Sequence, residues 1–354
     1  MIFGTEVTLG LDLGATGVRA AEVSWQGGRP VLHRWAAMDF PTEVADWRNT
    51  NQQALSSTIR QILSQSGLHT RWAAHSVSGE SVAPQYFNFP QLMPEDVAEA
   101  VRIEVETALP FSADGALISY VLFPEQRSAA GKARTHGLAI AADGSFVESR
   151  LAILRGARLE SFAVETDATA CSNAFLATHA LPEGAGTTAV LNIGHRYSNL
   201  ALLSGDGTLL IRDVPWGGSH LTKTLSEMLS SPLPDAEEMK RRHWEEGPSA
   251  AGALGERMDE ALQSGMKEFV GRLRGTIEFW VSERLATSLG RMFVTGGGSQ
   301  VRGLPEYLSN ALAAPVERWS PLQENNAVGK SAGLKPWNYR MSVAFGLALR
   351  QFGK

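Results

Sequence analysis

The apolar positions change period several times along the chain, and each change predicts an element. Residues 7–13 and 18–23 alternate β-branched and small apolar side chains around a glycine turn, which predicts two tightly joined strands. Gly27 and Gly28 turn the chain into a third strand over 30–35. After a polar, proline-containing loop at 40–51 the period becomes helical. Leu55, Ile59, Ile62 and Leu63 form one face of a helix over 52–65, which Ser66 and Gly67 end. A strand follows at 72–78. The next block holds a strand and then a helix that opens on Pro94, with Glu95 and Asp96 in its positively polarised first turn. Val97, Val101, Val105 and Ala108 line one face of that helix, and Pro110 stops it. Strands at 117–124 and 135–142, joined by a basic loop at 125–134, and a helix at 145–156 complete this block.

A strand at 158–164 and an alanine-rich helix at 167–178 lead to a second copy of the opening theme. Strand 188–193, Gly194, a short turn, strand 200–203, the turn at 205–207 and strand 208–214 repeat the strand–turn–strand–turn–strand order. The repetition predicts an α/β chain of two halves, each opening with a hairpin aimed at a common cleft. Helices at 219–230 and 234–244, a small-residue linker at 247–255 and a helical stretch over 256–289 follow. Leu262, Met266, Phe269, Leu273, Ile277 and Trp280 give the long stretch one buried face. A strand at 291–294 runs into the glycine-rich segment 295–304, then a helix at 305–312, a loop at 325–335 and a helix at 339–350 that crosses back to the first half. The expected division is a first-half core of 1–80, 157–185 and 336–354, and an inserted small domain of 81–156. The second-half core is 186–218 with 290–335, and a helical subdomain spans 219–289.

Composition narrows the function. With 354 residues, 44% apolar and 19% charged, the chain is long enough for more than one ordinary globular domain. A net charge of −5 gives no footing for nucleic acid or an anionic membrane. Cys171 is the sole cysteine, so no internal disulfide forms, and its apolar helical setting suits packing. No apolar run reaches the ~18 residues that a bilayer requires. The first residues carry no basic region, so the expected location is cytoplasmic, with membrane contact only through a partner.

Candidate chemistry concentrates at the turns. Gly14 and Gly17 allow close backbone approach, Thr16 offers a hydroxyl, and the turn's N–H groups can cradle an anion. Asp12, at the end of the first strand, can hold the water shell of a magnesium ion. Gly296, Gly297 and Gly298 follow a buried strand in the same manner. Glu237 and Lys240 sit among Glu238, Arg241 and Arg242, a run that suits a solvated helix face as well as a site. His75, His136 and His220 show no metal-ligand spacing, and no Ser/His/Asp or Cys/His set suggests covalent catalysis. Trp216, beside Gly217 and Gly218, is the tryptophan best placed to report on the cleft.

Six segments together resemble the PilM family of type IV pilus assembly, relatives of the division protein FtsA within the actin-like ATPase superfamily. They are LGLDLGATGVRAAEV from Leu9, IEVETALPF at 103–111, RDVPWGGSHLT at 212–222, AEEMK at 236–240, FVTGGGSQVRGL at 293–304 and AFGLALR at 344–350. The resemblance implies an actin-like, duplicated ribonuclease-H-like fold around a nucleotide cleft, with a small domain of the kind FtsA and PilM share. It assigns Asp12, Gly14 and Thr16 to a first phosphate loop, with Arg19 where the family usually has lysine. Gly194 and Ser198 match a second phosphate loop, with Gly217 and Gly218 near the phosphates. Glu237 and Lys240 match a helix that contacts ribose and base, and Gly296, Gly297 and Gly298 match an adenosine loop. The implied ligands are ATP or ADP with magnesium, held by Asp12 through water.

Two departures bear on activity. Asn192 stands where the family's second loop has aspartate, and an amide brings no charge to magnesium. His195 and Arg196 follow, donors that can meet phosphate oxygens instead. Asp167 falls where hydrolysing relatives use glutamate to orient water, and it is one methylene shorter. Since ~1 Å of misplacement can cost ~100-fold in rate, the expectation is nucleotide binding with weak or absent hydrolysis. The implied role is an actin-like adaptor that receives the N-terminal peptide of a PilN-like inner-membrane protein beside the small domain, near residues 82–122, with self-association as a further expectation. The alternatives are an FtsA-like membrane-associated filament, against which the short end ALRQFGK speaks, and a small-molecule kinase with Asp167 as base.

Overall fold

The computed structural model describes residues 7–40, 50–124, 126–127, 132–181, 186–246, 252–283, 288–322 and 334–351. Most of the loops expected at 40–51, 125–134, 247–255 and 325–335 lie outside the described residues. Two five-stranded sheets carry the chain's symmetry. The first contains β1 (Thr8–Gly14), β2 (Gly17–Gln26), β3 (Arg29–Asp39), β4 (Trp72–Val77) and β9 (Glu160–Thr166), ordered β3-β2-β1-β4-β9. The second contains β10 (Thr187–Ile193), β11 (Ser198–Leu203), β12 (Leu209–Val214), β13 (Leu289–Thr295) and β14 (Val316–Arg318), ordered β12-β11-β10-β13-β14. In each, the three opening strands are antiparallel and the next two join in parallel. β1 and β10 are central strands covered on both faces, so nearly all of their residues are buried.

Between the halves lie α4 (Asp167–Thr178) and α9 (Ser342–Leu347), packed against each other. The contact is close enough that a Cβ on Gly346 would strike the Ala170 carbonyl, and one on Gly10 the Ala344 carbonyl. Bare glycines therefore let α9 sit directly on both β1 and α4. This tight seat, with the 3-10 turn Lys335–Met341 before it, shortens the helix expected over 339–350.

A third sheet, β5 (Val82–Pro90), β8 (Ala133–Asp143) and β6 (Ala116–Leu122), with β7 (Gln126–Arg127) also on β8, carries α2 (Pro94–Glu106) on one face. Phe87, Val97, Val101, Val105, Ala139 and Ala141 form its core. The helix α3 (Gly144–Gly156), which the sequence groups with this block, touches β8 but packs chiefly on the first half. Phe146, Val147, Ile153 and Leu154 join Leu9, Leu11 and Ile59 of α1 (Gln52–Gln65) in the core beneath the first sheet.

On the second half, α5 (Gly218–Leu229), α6 (Leu233–Lys240), α7 (Ala253–Glu283) and α8 (Leu304–Leu312) surround a core holding Trp216, Phe269, Leu273 and Trp280. Trp216 stacks on Phe269 with ring centroids 4.0 Å apart, so it is a core residue behind the cleft wall. A π-helical turn at Arg241–Glu246 follows α6 where the sequence suggests continuous α-helix. Leu289, expected as the last residue of α7, instead begins β13, where it pairs with Thr187 of β10. β14 escapes sequence reading, being three residues with no alternation.

Candidate functional site

The two hairpins place equivalent residues at equivalent points. Asp12 pairs with Arg19 across β1 and β2, and Asn192 pairs with Asn199 across β10 and β11. One register position thus carries opposite charges in the first half and two amides in the second.

In the first hairpin, Arg19 is almost fully covered. Its Nη1 donates to the Gly17 carbonyl at 3.1 Å and its Nη2 to Asp39 Oδ1 at 3.0 Å. A Cβ on Gly14 would lie 3.0 Å from Nη1, so the glycine makes room for the guanidinium. The Nε of Arg19 is buried without an acceptor, a donor left over at the cleft wall. Arg340 donates to the same Asp39, through Nη1 to Oδ2 at 3.1 Å and through Nη2, and lies 4.5 Å from the Trp337 ring centroid. Arg150 reaches up from α3, and its Nη1 donates to the Leu13 carbonyl at 2.7 Å.

These cations surround two carboxyls. Burial pushes Asp12 up to about 7, Asp167 adds to the rise, and Arg19, Arg150 and Arg340 oppose it. Asp167 opens α4, whose first turn is capped by the Thr166 hydroxyl and by Thr169 in return. Burial raises its carboxyl as well, against the Ser76 and Ser78 hydroxyls and Arg150. Burial lowers Arg19 and Arg150 to about 10, which leaves both charged at neutral pH.

The second turn is tied to the helix behind it. Gly218 N donates to the Gly194 carbonyl at 2.9 Å, and Ser219 donates to the His195 carbonyl through N–H and hydroxyl, both at 2.8 Å. A Cβ on Gly217 would come within 2.5 Å of the His195 carbonyl. Ser198 is fully buried, donating to the Trp216 carbonyl at 2.8 Å. Ser198 and Gly217, matched to phosphate contacts by sequence, therefore stand behind the turn and hold its shape; neither lines the cleft. Asn192 donates from Nδ2 to Asn199 Oδ1 at 2.8 Å, and Asn199 Nδ2 donates to Asp213 Oδ1 at 2.7 Å.

Opposite the turns, Lys240 is buried and donates from Nζ to Glu237 at 2.7 Å, to Thr222 Oγ1 at 3.1 Å and to the Gly218 carbonyl at 3.3 Å. Burial works to raise the Glu237 carboxyl, but Lys240 and Thr222 outweigh it and hold the group below its usual value. The pair is a structured cleft wall, not a solvated face. Gly296 has φ +85° and no room for a Cβ, which would meet Asn192 Oδ1 at 2.4 Å; one on Gly298 would meet Ile193 Cγ2 at 2.4 Å. These glycines let the loop lie against β10, a reason internal to the fold, where sequence reading supposed close approach to a nucleoside.

One cleft of about 960 Å³ collects Asp12, Gly14, Thr16, Arg19, Asp167, Asn192, Gly194, His195, Gly218, Glu237, Lys240, Gly296, Gly297 and Gly298. It adds Asp39, Arg150, Asn199 and Arg340, which sequence reading missed. Arg150 had a signal, as the one charge on the face of α3 that also carries Phe146, Val147, Ile153 and Leu154. Arg340 and Asp39 had none, since they meet only in three dimensions, 301 positions apart. The guanidiniums fit phosphate oxygens better than they fit a bare cation. Among the described residues no cluster of three His, Cys, Asp or Glu side chains could hold a metal ion directly, so a magnesium at Asp12 would depend on water and phosphate ligands. Nor is any described helix long and apolar enough to cross a membrane.

Similarity to known proteins follows the same outline. A solved PilM-PilN type IV pilus biogenesis complex is 25% identical with a TM-score of 0.81, covering 98% of this chain and 99% of that one. The ethanolamine utilization protein EutJ from Carboxydothermus hydrogenoformans shares the fold at TM-score 0.57 and 15% identity, over 99% of this chain and 91% of its own. The cell division protein FtsA of Helicobacter pylori (strain ATCC 700392 / 26695) is 27% identical over 58% of this chain, and that match spans 44% of FtsA, less than half its length. The duplicated sheets are those of the actin-like fold. The model of the type IV pilus assembly protein PilM matches residues 10–352, and the chain belongs to that family.

Proposed function

We propose that the protein is a nucleotide-binding adaptor of a type IV pilus or related secretion machine, recruited from the cytoplasm to the inner membrane by the N-terminal peptide of a PilN-like protein. The observation that carries this reading is the end-to-end likeness to a PilM-PilN complex at TM-score 0.81. An extended peptide beside the third sheet would be recognised through main-chain hydrogen bonds, with side-chain pockets setting register. Exposed Leu117, Tyr120, Val121 and Leu122 on β6 offer apolar contacts there.

The cleft would take ATP or ADP. A solved relative with the same fold, MreB5 of Spiroplasma citri, carries ADP. Arg19, Arg150 and Arg340 would meet the polyphosphate, Asp12 the water shell of its magnesium, and Glu237 and Lys240 the ribose side. Magnesium would supply charge neutralisation between phosphates. Hydrolysis would be weak or absent for two reasons. Asn192 commits its amide to Asn199 and offers no charge, and the short Asp167 lies back in a buried network with Arg150. Nucleotide would alter peptide affinity only as far as it favours one arrangement of the halves.

The test is fluorescence anisotropy of a labelled peptide from the N-terminus of a PilN-like protein, with and without ATP and magnesium. Saturable binding that shifts with nucleotide supports the adaptor reading; no binding in either state overturns it. Phosphorylation of a hydroxyl compound in a substrate panel would instead revive the kinase alternative.

A further inference from the structure

Asn192 invites a reading as a damaged magnesium ligand, but its surroundings give it another task. Its amide begins a directional chain. Asn192 Nδ2 donates to Asn199 Oδ1 at 2.8 Å, Asn199 Nδ2 donates to Asp213 Oδ1 at 2.7 Å, and the other Asp213 oxygen accepts the Gly79 N–H at 2.6 Å. The first three residues stand on β10, β11 and β12 of the second sheet. Gly79 stands 134 positions earlier, in the turn between β4 of the first sheet and β5 of the small one. The chain therefore begins at a cleft-lining side chain and ends on the other half of the molecule.

We infer that Asn192, Asn199 and Asp213 form a hydrogen-bond relay that fixes the two halves across the cleft, so that Asn192 is a positioning residue for the cleft's width. The orientation of every amide is forced. Asp213 as carboxylate accepts only, so Asn199 must present Nδ2 to it and keep Oδ1 for Asn192. Asn192 must then present Nδ2, which turns its Oδ1 toward Gly296, where a Cβ would come within 2.4 Å of that oxygen. Aspartate at position 192 breaks this order. Its carboxylate would face Asn199 Oδ1, and Asn199 could serve it only by flipping, which would set an oxygen against Asp213. One acceptor-to-acceptor clash follows in either arrangement. The asparagine and its partner thus belong together, and restoring the family's aspartate would disturb the joint rather than repair a metal site.

A second contact runs alongside. Tyr197, of the second turn, lies flat against Gly79, where a Cβ would meet ring carbons at 2.9 to 3.3 Å, and φ of +84° reinforces the need for glycine. Loss of the relay should therefore loosen the Gly79 amide without parting the halves altogether.

Amide hydrogen exchange, resolved at Gly79 in ligand-free protein at pH 8, tests the relay. The measurement needs no nucleotide, so it separates this inference from the reading of the cleft as a nucleotide site. Asn192→Asp is expected to speed exchange at Gly79 about tenfold, the size of one lost charge-assisted bond, although position 192 does not touch Gly79. Asn199→Leu, similar in volume but without donor or acceptor, should do the same and serves if Asn192→Asp folds poorly. Tyr197→Phe, which keeps the ring on Gly79 and lies outside the relay, should leave that amide slow. Unchanged exchange at Gly79 in Asn192→Asp and Asn199→Leu, with Asp213→Ala alone raising it, would reduce the relay to a local Asp213 contact and overturn the inference.

Discussion

The two hairpins that face the cleft have one topology and opposite chemistry. β1–β2 brings Asp12 opposite Arg19 and draws in Arg150, Asp167 and Arg340, while β10–β11 brings Asn192 opposite Asn199 and draws in Asp213. The first arrangement stores charge that is only partly compensated, with two carboxyls raised by burial and one guanidinium Nε lacking an acceptor. The second is neutral at the register position and ties its two amides to each other and to Asp213. Duplication gave the chain two similar turns. One of them gathers charged side chains at the cleft, and the other pairs amides that lead through Asp213 to Gly79 of the first half.

The largest expected effect comes from the charged side. Arg150→Met removes a buried cation from beside Asp12 and Asp167 and should cost about 3 kcal/mol of stability, read by urea unfolding. Moving the amide pair into the first hairpin, Asp12→Asn with Arg19→Asn, should weaken ATP binding about 100-fold, because a charge-assisted contact and a magnesium-water ligand disappear together. Equal affinity in that variant would erase the proposed contrast between the turns. On the neutral side, Ser198→Ala should cost about 1 kcal/mol through the lost bond to Trp216 and leave ATP affinity unchanged, since Ser198 does not line the cleft.

The smallest effect is a pH dependence. Burial between the halves pushes Asp213 up to about 6, against the Asn199 and Gly79 bonds, with the charge of Asp167 adding to the rise. A carboxyl raised in the joined state binds its proton there more tightly than when exposed. Its burial cost is therefore present above about pH 6 and relieved as pH falls through that value. Thermal unfolding should show the wild type gaining roughly 1–3 °C more than Asp213→Asn between pH 7 and pH 5.

Much of this was legible before any coordinates. Period and glycine turns located both hairpins, and most of the residues matched to the family's motifs meet at one cleft. What stayed hidden has physical reasons. Arg340 reaches Asp39 only because α9 returns the chain's end to the first sheet, a contact with no local signature. The packing of α3 on α1 was not legible, because amphipathicity shows that a helix has a buried face but not which element covers it. The close approach at Gly296 and Gly298 that the structure shows is to Asn192 and Ile193, partners that the glycine run itself does not name. Asn192 stood out as a missing charge, whereas its partner Asn199 looked like an ordinary strand residue until the register set the two side by side.

The most direct test of the account is calorimetric titration of nucleotide-stripped protein with ATP and magnesium, repeated on Asp12→Asn. Micromolar binding by the native protein, weakened at least about tenfold in the variant, is the expected result, since one charge-assisted contact is worth that much. Absence of binding by the native protein would contradict it, and the cleft would then be a structural seam between the halves.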